Sequence, residues 1–372
     1  MNQFDTSITF PNGVTLKNRL IMSPMTTLQS YYEGTVTQDE IDYYTRRVKG
    51  LGAIITGAAN VEPLGKGWQG ELSVAEDDKI AQLSKLAHSI QSQGSKAILQ
   101  IFHAGRMTFP ATLSGEQPVS ASAVPAEHRD PNTHDAVPRS MTNAEVYATI
   151  DAFGDATRRA IQAGFDGVEL HGANTYLLQQ FFSPHSNRRT DEFGGSIDKR
   201  YTFIEKTLES VFAAVDHYAD RPFIVGYRFS PEEFTNPGIT FEDTGYLVDK
   251  LVQTKLDYLH VSLDNYKRVS IADNYKNQTI LKYLHRMIDN KKPLIGVGGV
   301  RTREDVQNVL GSADLVAVGQ QKLVDPDWPL KLANNADDAM INDEFKNAIE
   351  YTPLNAPLYD FLVERYGSIP NI

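Results

Sequence analysis

The sequence predicts a closed (β/α)8 TIM barrel. Eight short apolar runs recur along its 372 residues, and amphipathic helical patterns lie between most of them. No G-x-G-x-x-G turn follows the first run, as an open dinucleotide-binding sheet would require. Strands buried on both faces read as continuous apolar stretches rather than alternating ones, which is how these runs read. The length suits one large barrel with insertions.

The elements follow in order. "ITFPNGVTL" gives two short strand-like pieces around Asn12-Gly13, a strong hairpin-turn signal. The eight runs lie at 19–25, 53–59, 96–102, 166–172, 223–229, 258–263, 293–299 and 314–320. Helical patterns occupy "TQDEIDYYTRRVK", "DKIAQLSKLAHSIQSQG", "NAEVYATIDAFGDATRRAIQAG", "KRYTFIEKTLESVFAAV", "TFEDTGYLVDKLVQT" and "TREDVQNVLGS". The longest gap, 104–142 after the third strand, is rich in Pro, Ser, Ala and His and is expected to be a lid or binding loop. A single domain over 1–372 is expected, with the barrel at about 18–335 and a helical tail at about 336–372 closing its outside.

Composition narrows the function. A formal net charge of -11 argues against a general nucleic-acid binder or a basic membrane-surface protein. The absence of cysteine excludes disulfides, thiolate metal sites, cysteine-held iron–sulfur clusters and a flavin tethered through a thiol. "MNQFDTSITF" has neither a basic nor an apolar signal region, and no apolar stretch is long enough for a membrane helix. A soluble, cytoplasmic protein is expected. No metal site is expected either, because strand ends one, two and seven offer no ligands for a metal-dependent barrel hydrolase.

Barrel enzymes build their sites from the C-terminal ends of the strands. Strand one ends in Pro24, Met25 and Thr26, and strand two in small residues around Ala58. Strand three offers Gln100, then His103 and Arg106, which read as loop-anchoring or phosphate-neighbour residues rather than catalytic ones. Strand four gives His171, Asn174 and Tyr176, and strand five gives Arg228 and Ser230. Strand seven ends in Gly298-Gly299 and strand eight in Gly319-Gln320, where barrels commonly bind phosphate through backbone N–H groups.

A phosphate site, an amide, a guanidinium and a small-residue floor suit a planar heterocycle carrying a phosphate. The Gln100 amide can both donate to and accept from a pyrimidine-like edge. A fixed charge at Arg228 would stabilise a negatively charged reduced flavin. FMN is the cofactor this combination predicts.

With these residues in place, the sequence resembles the Old Yellow Enzyme family of FMN-dependent ene-reductases along nearly all of 4–330. The resemblance rests on "FPNGVTLKNRLIMSPMTT", "LQIFHAGR", "DGVELHGANTYLLQQFFSPHSNRRTDEFGGSIDKRYTFIEK", "IVGYRFSPEE", "GVGGVRTREDV" and "DLVAVGQQKLVDPDW". It implies that Pro24, Met25, Thr26, Ala58, Gln100 and Arg228 line the flavin. It implies that Thr26 bonds the flavin carbonyl next to N5, that His171 and Asn174 grip the acceptor's carbonyl or nitro oxygen, and that Tyr176 supplies the proton. Many bacterial members carry a second histidine where Asn174 stands. The family's arginine after strand eight is replaced by Gln320, which removes a charge-assisted contact to phosphate. Weaker FMN retention is expected unless Arg301 or another basic residue compensates.

The implied reaction is reduction of FMN by NADH or NADPH, then hydride transfer to an activated alkene such as an α,β-unsaturated carbonyl or nitro compound. Its small-molecule partners are the nicotinamide and the electron acceptor, and the family's habit implies a homodimer or higher homo-oligomer. The alternatives are a non-catalytic flavin-binding or redox-sensing protein, and a barrel flavoenzyme of dienoyl or amine type. The latter usually adds a cysteine-held iron–sulfur cluster and further domains, for which this chain is expected to lack both the cysteines and the length.

Overall fold

Eight parallel strands close into a barrel in the computed structural model, which describes residues 2–126, 137–341, 352 and 354–366. The strands are β1 (Leu20–Met22), β2 (Ala53–Asn60), β3 (Lys96–Phe102), β4 (Gly167–Gly172), β5 (Ile224–Phe229), β6 (Tyr258–Val261), β7 (Leu294–Gly296) and β8 (Leu315–Val318). Each falls in one of the eight apolar runs, to within a residue at its ends. β8 pairs with β1 at Val316↔Leu20, and β1 with β2 at Ile21↔Ala53, so the sheet has no open edge in this ring.

The helices start where the sequence supplies an oxygen to cap them. Thr37, Thr142, Ser196, Thr240, Thr279 and Thr302 each accept a backbone N–H three residues on. They begin α1 (Gln38–Arg47), α3 (Asn143–Gln162), α5 (Ile197–Tyr218), α6 (Phe241–Val252), α7 (Ile280–Ile288) and α8 (Arg303–Leu310). Glu145, Asp243 and Asp305 reach back to complete capping boxes on three of them. α2 (Ile80–Gln91) follows a short 3-10 turn instead. α4 (Leu177–Phe182) and α7 are absent from the helical patterns read in the sequence. α4 is six residues long and buried along its whole length, so it shows no amphipathic period.

The N-terminal hairpin, Ile8–Thr9 with Thr15–Leu16, plugs the lower end of the barrel. Phe10 and Leu16 pack with Ile21, Ile98, Ile224, Tyr258 and Leu315 in one buried cluster. Asn12 fastens the plug, its backbone N–H and its side-chain amide each donating to the Asp257 carboxylate at 3.1 Å. Closing this end leaves the C-terminal mouth as the way in.

The 104–142 insertion carries a small two-stranded pair, Val119–Ser120 with Arg139–Ser140, and its residues 127–136 lie outside the described residues. Arg106 donates to the carbonyls of Val124 and Pro125, and Ser120 donates to Gln180 on α4 at 2.8 Å. The loop is therefore docked beside the strand-four end, with Arg106 anchoring it as expected. After β8 come α9 (Gln320–Val324), α10 (Trp328–Ala333) and α11 (Ala356–Tyr366). Leu358 and Leu362 of α11 are buried in the main core, and Thr352 accepts from buried Arg47. Of the 336–372 segment, where a helical tail is expected, 342–351, 353 and 367–372 lie outside the described residues. Among the described residues no helix is long and apolar enough to cross a membrane, and no group of His, Asp and Glu could hold a metal ion.

Candidate active site

The strand-four end makes the site by ending abruptly. β4 stops at Gly172, and Asn174 and Thr175 both take left-handed backbone angles, with φ of 56° and 66°. Asparagine tolerates that conformation, whereas a β-branched threonine does so under strain, so something must hold it. The Asn174 N–H donates to Ser230 Oγ at 2.9 Å, and the Thr175 N–H donates to Gln179 Oε1 at 3.0 Å. Glu233 in turn accepts from Gln179 Nε2 at 2.7 Å and from Ser183 Oγ at 2.5 Å. The strand-five loop thus clamps the strand-four turn.

That turn places Tyr176 as the residue before α4, with its ring edge-on to His171 at 4.8 Å between centroids. Phe102 stands 5.0 Å from the Tyr176 ring and Trp68 5.5 Å from Phe102, forming an aromatic wall at the mouth. Asn174 does not cap the helix; its Oδ1 accepts from Ser262 Oγ at 2.9 Å. The amide NH2 is then the end left for a ligand. Ser230 and Ser262 both hold Asn174, and so tie it to the ends of β5 and β6.

His171 is set as a neutral donor. Its Nδ1 accepts the Ala173 N–H at 3.3 Å, which leaves the proton on Nε2. Burial pushes its pKa well below the ordinary value, and the Arg228 guanidinium and the His260 ring push the same way. It therefore stays uncharged around neutral pH and presents an N–H rather than a lone pair.

The floor of the mouth holds a buried charge with one nitrogen left unbonded. Arg228 is 7% exposed, and its Nε has no hydrogen-bond partner. A buried guanidinium left this way is costly. It fits a site that receives an electron-rich ring. Its nearest compensation is Glu169, whose Oε2 accepts from Gln100 Nε2 at 2.7 Å. Glu169 Oε1 accepts from Tyr258 Oη at 3.1 Å and pairs with His260 Nδ1 at 2.8 Å. The predicted Gln100 and Arg228 therefore meet around a carboxylate that strand-end reading missed. Glu169 does carry a signal, as the one acidic residue within β4, "GVELHG".

The remaining predicted residues lie where β1, β2, β7 and β8 end. The Ser23 N–H donates to Val318 O at 3.0 Å, extending the ladder to the edge of Pro24-Met25-Thr26. A Cβ on Gly57 would lie 2.7 Å from Met25 O, and one on Gly319 3.2 Å from Met25 Sδ. Close packing against backbone requires glycine at 57, whereas at 319 the flexible Met25 side chain would have to give by a few tenths of an ångström. Ala58 is buried in the aromatic cluster with Phe102 and Ala104. Gly298 has φ of +124°, and a Cβ on it would sit 2.7 Å from Tyr266 N, so only glycine fits. Gly299, with φ of +64°, has open space on that side beyond a contact at 3.7 Å. Gln320 is the first residue of the five-residue α9. His103 keeps to its expected structural role: its Nδ1 accepts the Gly105 N–H at 2.9 Å, and its Nε2 lies 3.1 Å from Glu62.

Residues 6–339 match the model of a family described as NADH:flavin oxidoreductase / NADH oxidase. The chain is 47% identical over 339 residues to the NADH:acrylate oxidoreductase of Vibrio harveyi, covering 90% of itself but 33% of that protein. It therefore spans about a third of that relative's length. It is 40% identical over 363 residues to the "Probable NADH-dependent flavin oxidoreductase YqiG" of Bacillus subtilis (strain 168), covering 97% of itself and 96% of that protein. In structure it is similar to the old yellow enzyme homologue from Zymomonas mobilis, with a TM-score of 0.79 at 25% identity, over 96% and 98% of the two chains.

Proposed function

We propose a reaction for a chain that belongs to the NADH:flavin oxidoreductase / NADH oxidase family, the family of the Old Yellow Enzymes. The chain binds FMN at the barrel mouth, and activated alkenes are the acceptors. The buried, unpartnered Arg228 Nε is the observation favouring the flavin. Pro24, Met25, Thr26, Ala58, Gln100 and Arg228 would hold the ring, and Gly298, Gly299, Gly319 and Gln320 the phosphate. Bound FMN would supply two-electron hydride chemistry there, with NADH or NADPH as the reductant.

The reading of the acceptor step rests on one observation, the neutral His171 with its proton on Nε2 beside Tyr176. His171 Nε2–H and the Asn174 NH2 donate to the acceptor's oxygen. There they stabilise the negative charge that grows as the β-carbon gains hydride. Tyr176 gives its phenolic proton to the α-carbon and regains one from water. Trp68 and Phe102 flank this position and limit water there. The name of the Vibrio harveyi relative gives acrylate as its acceptor, so short α,β-unsaturated acids join the carbonyl and nitro compounds as substrates to test.

Tyr176→Phe tests the proton step. The ring and its contact with His171 are kept, so FMN stays bound and its reduction by nicotinamide keeps its rate. Oxidation by an enone slows by about 10²- to 10⁴-fold, the range for loss of a general acid. Stopped-flow measurement of the two half-reactions separates them. An unchanged oxidative half-reaction removes Tyr176 as the donor.

A further inference from the structure

Glu169 belongs to a central strand of the barrel, between Val168 and Leu170, and is fully buried. A carboxylate in that position needs donors on both oxygens, and three side chains from two other strands, one adjacent and one a strand further on, supply them. Gln100 comes from β3; Tyr258 and His260 come from β6. Burial pushes the Glu169 carboxyl up, but the His260 ring, the Arg228 charge and the Gln100 bond outweigh it and hold the group below its ordinary value. His260 is held below its own ordinary value, first by burial and then against the pull of Glu169. Arg228 is the fixed positive charge whose field reaches Glu169.

An ionised carboxylate has only acceptors. A glutamine amide beside it can present only its NH2 group, since its carbonyl oxygen would meet negative charge. The orientation of Gln100 is thus dictated by chemistry, and the 2.7 Å bond from Nε2 is the result.

We propose that Glu169 is a positioning residue beneath the flavin site: it takes the NH2 group of Gln100, turns the Gln100 carbonyl oxygen toward the cofactor, and balances the charge of Arg228. The inference rests on the placement of FMN at the mouth. Gln100 then acts as an acceptor and selects a ring edge that carries an N–H. The Glu169 charge opposes accumulation of negative charge on the ring and so lowers the flavin's potential, against the pull of Arg228.

Glu169→Gln keeps the size of the side chain and removes its charge, freeing Gln100 to turn. With FMN bound, the variant is expected to favour the reduced over the oxidised cofactor about tenfold more than the unsubstituted protein does. For a two-electron couple that is a midpoint rise of about 30 mV, read by dye equilibration. An unchanged or lower potential in a variant that holds FMN overturns the proposal. A second measurement needs no substitution. In the unsubstituted protein with 15N-labelled glutamine, the Gln100 NH2 signal is expected to keep its shift and slow exchange whether FMN is bound or removed. A large shift of that signal on FMN binding places the NH2 on the cofactor and overturns the proposal equally. FMN titration of the unsubstituted protein reads the underlying placement separately. No FMN uptake removes the flavin reading itself, whereas uptake with an unmoved potential in Glu169→Gln removes only the role of Glu169.

Discussion

Replacing His171 and Asn174 together by alanine leaves FMN bound and removes about three orders of magnitude of alkene turnover. Neither side chain holds the barrel together. His171 packs against Phe102 and Tyr176 at the mouth, and Asn174 is exposed apart from its bonds to the two serines. Loss of one well-placed donor to a developing oxyanion costs about 10²- to 10³-fold. Two donors on one oxygen act as a unit, so the double loss falls well short of the product of the single losses. Because the charge on oxygen develops only as hydride arrives, the loss falls on the rate of acceptor reduction more than on acceptor binding. Reduction of the flavin by nicotinamide makes no use of that charge and should change far less. Unchanged turnover, with acceptor reduction shown to be limiting, contradicts the assignment.

The second large effect is at Arg228. Arg228→Leu keeps the apolar stem and removes a fixed positive charge from the floor of the mouth. It also removes one of the groups that hold Glu169 ionised, so a second penalty adds to the first. FMN affinity is expected to fall by about ten- to a hundredfold, corresponding to roughly 1.4 to 3 kcal/mol. The midpoint potential should fall as well, because a charge that favoured the reduced ring is gone. Arg228→Lys restores the charge but not the planar fork, and should recover the potential more fully than the affinity. Fluorescence titration of FMN and dye-equilibrated potentiometry read the two quantities. A variant with the parent's affinity and potential contradicts the placement of Arg228 against the ring. The opposite signs expected for Arg228→Leu and Glu169→Gln make the pair an internal control.

The barrel was legible because its strands are buried on both faces. Runs such as "AIITGAA" and "KAILQIF" can hardly be anything other than interior strands once eight of them recur. The hairpin was legible from Asn12-Gly13, though not its function as a plug, since the bond from Asn12 to Asp257 spans 245 residues. The strand-end rule reached His171, Gln100 and Arg228 because position along a strand fixes which end faces the mouth. It could not reach Glu169, whose meaning depends on Gln100, Tyr258 and His260 arriving from other strands. Nor could it reach Ser262, which lies 88 residues from the Asn174 it orients. The tight turn brings His171 and Asn174 to one face, because the strand stops between them. Its means, two successive left-handed residues clamped through Ser230, Gln179 and Glu233, depends on contacts that no local pattern encodes. The phosphate side was read from glycines alone. Gly298 has a structural need for glycine in its contact with Tyr266, so its presence does not by itself speak for a phosphate.

The absorption spectrum of the purified protein, followed without oxygen, tests the central claim most directly. Flavin reduction and its reversal by an alkene are both visible there in one cuvette. The protein is expected to show flavin absorption, to bleach on addition of NADH or NADPH, and to recover its colour when an enone is added. A protein that stays colourless after incubation with FMN, or one that bleaches but is recoloured by no activated alkene, contradicts it.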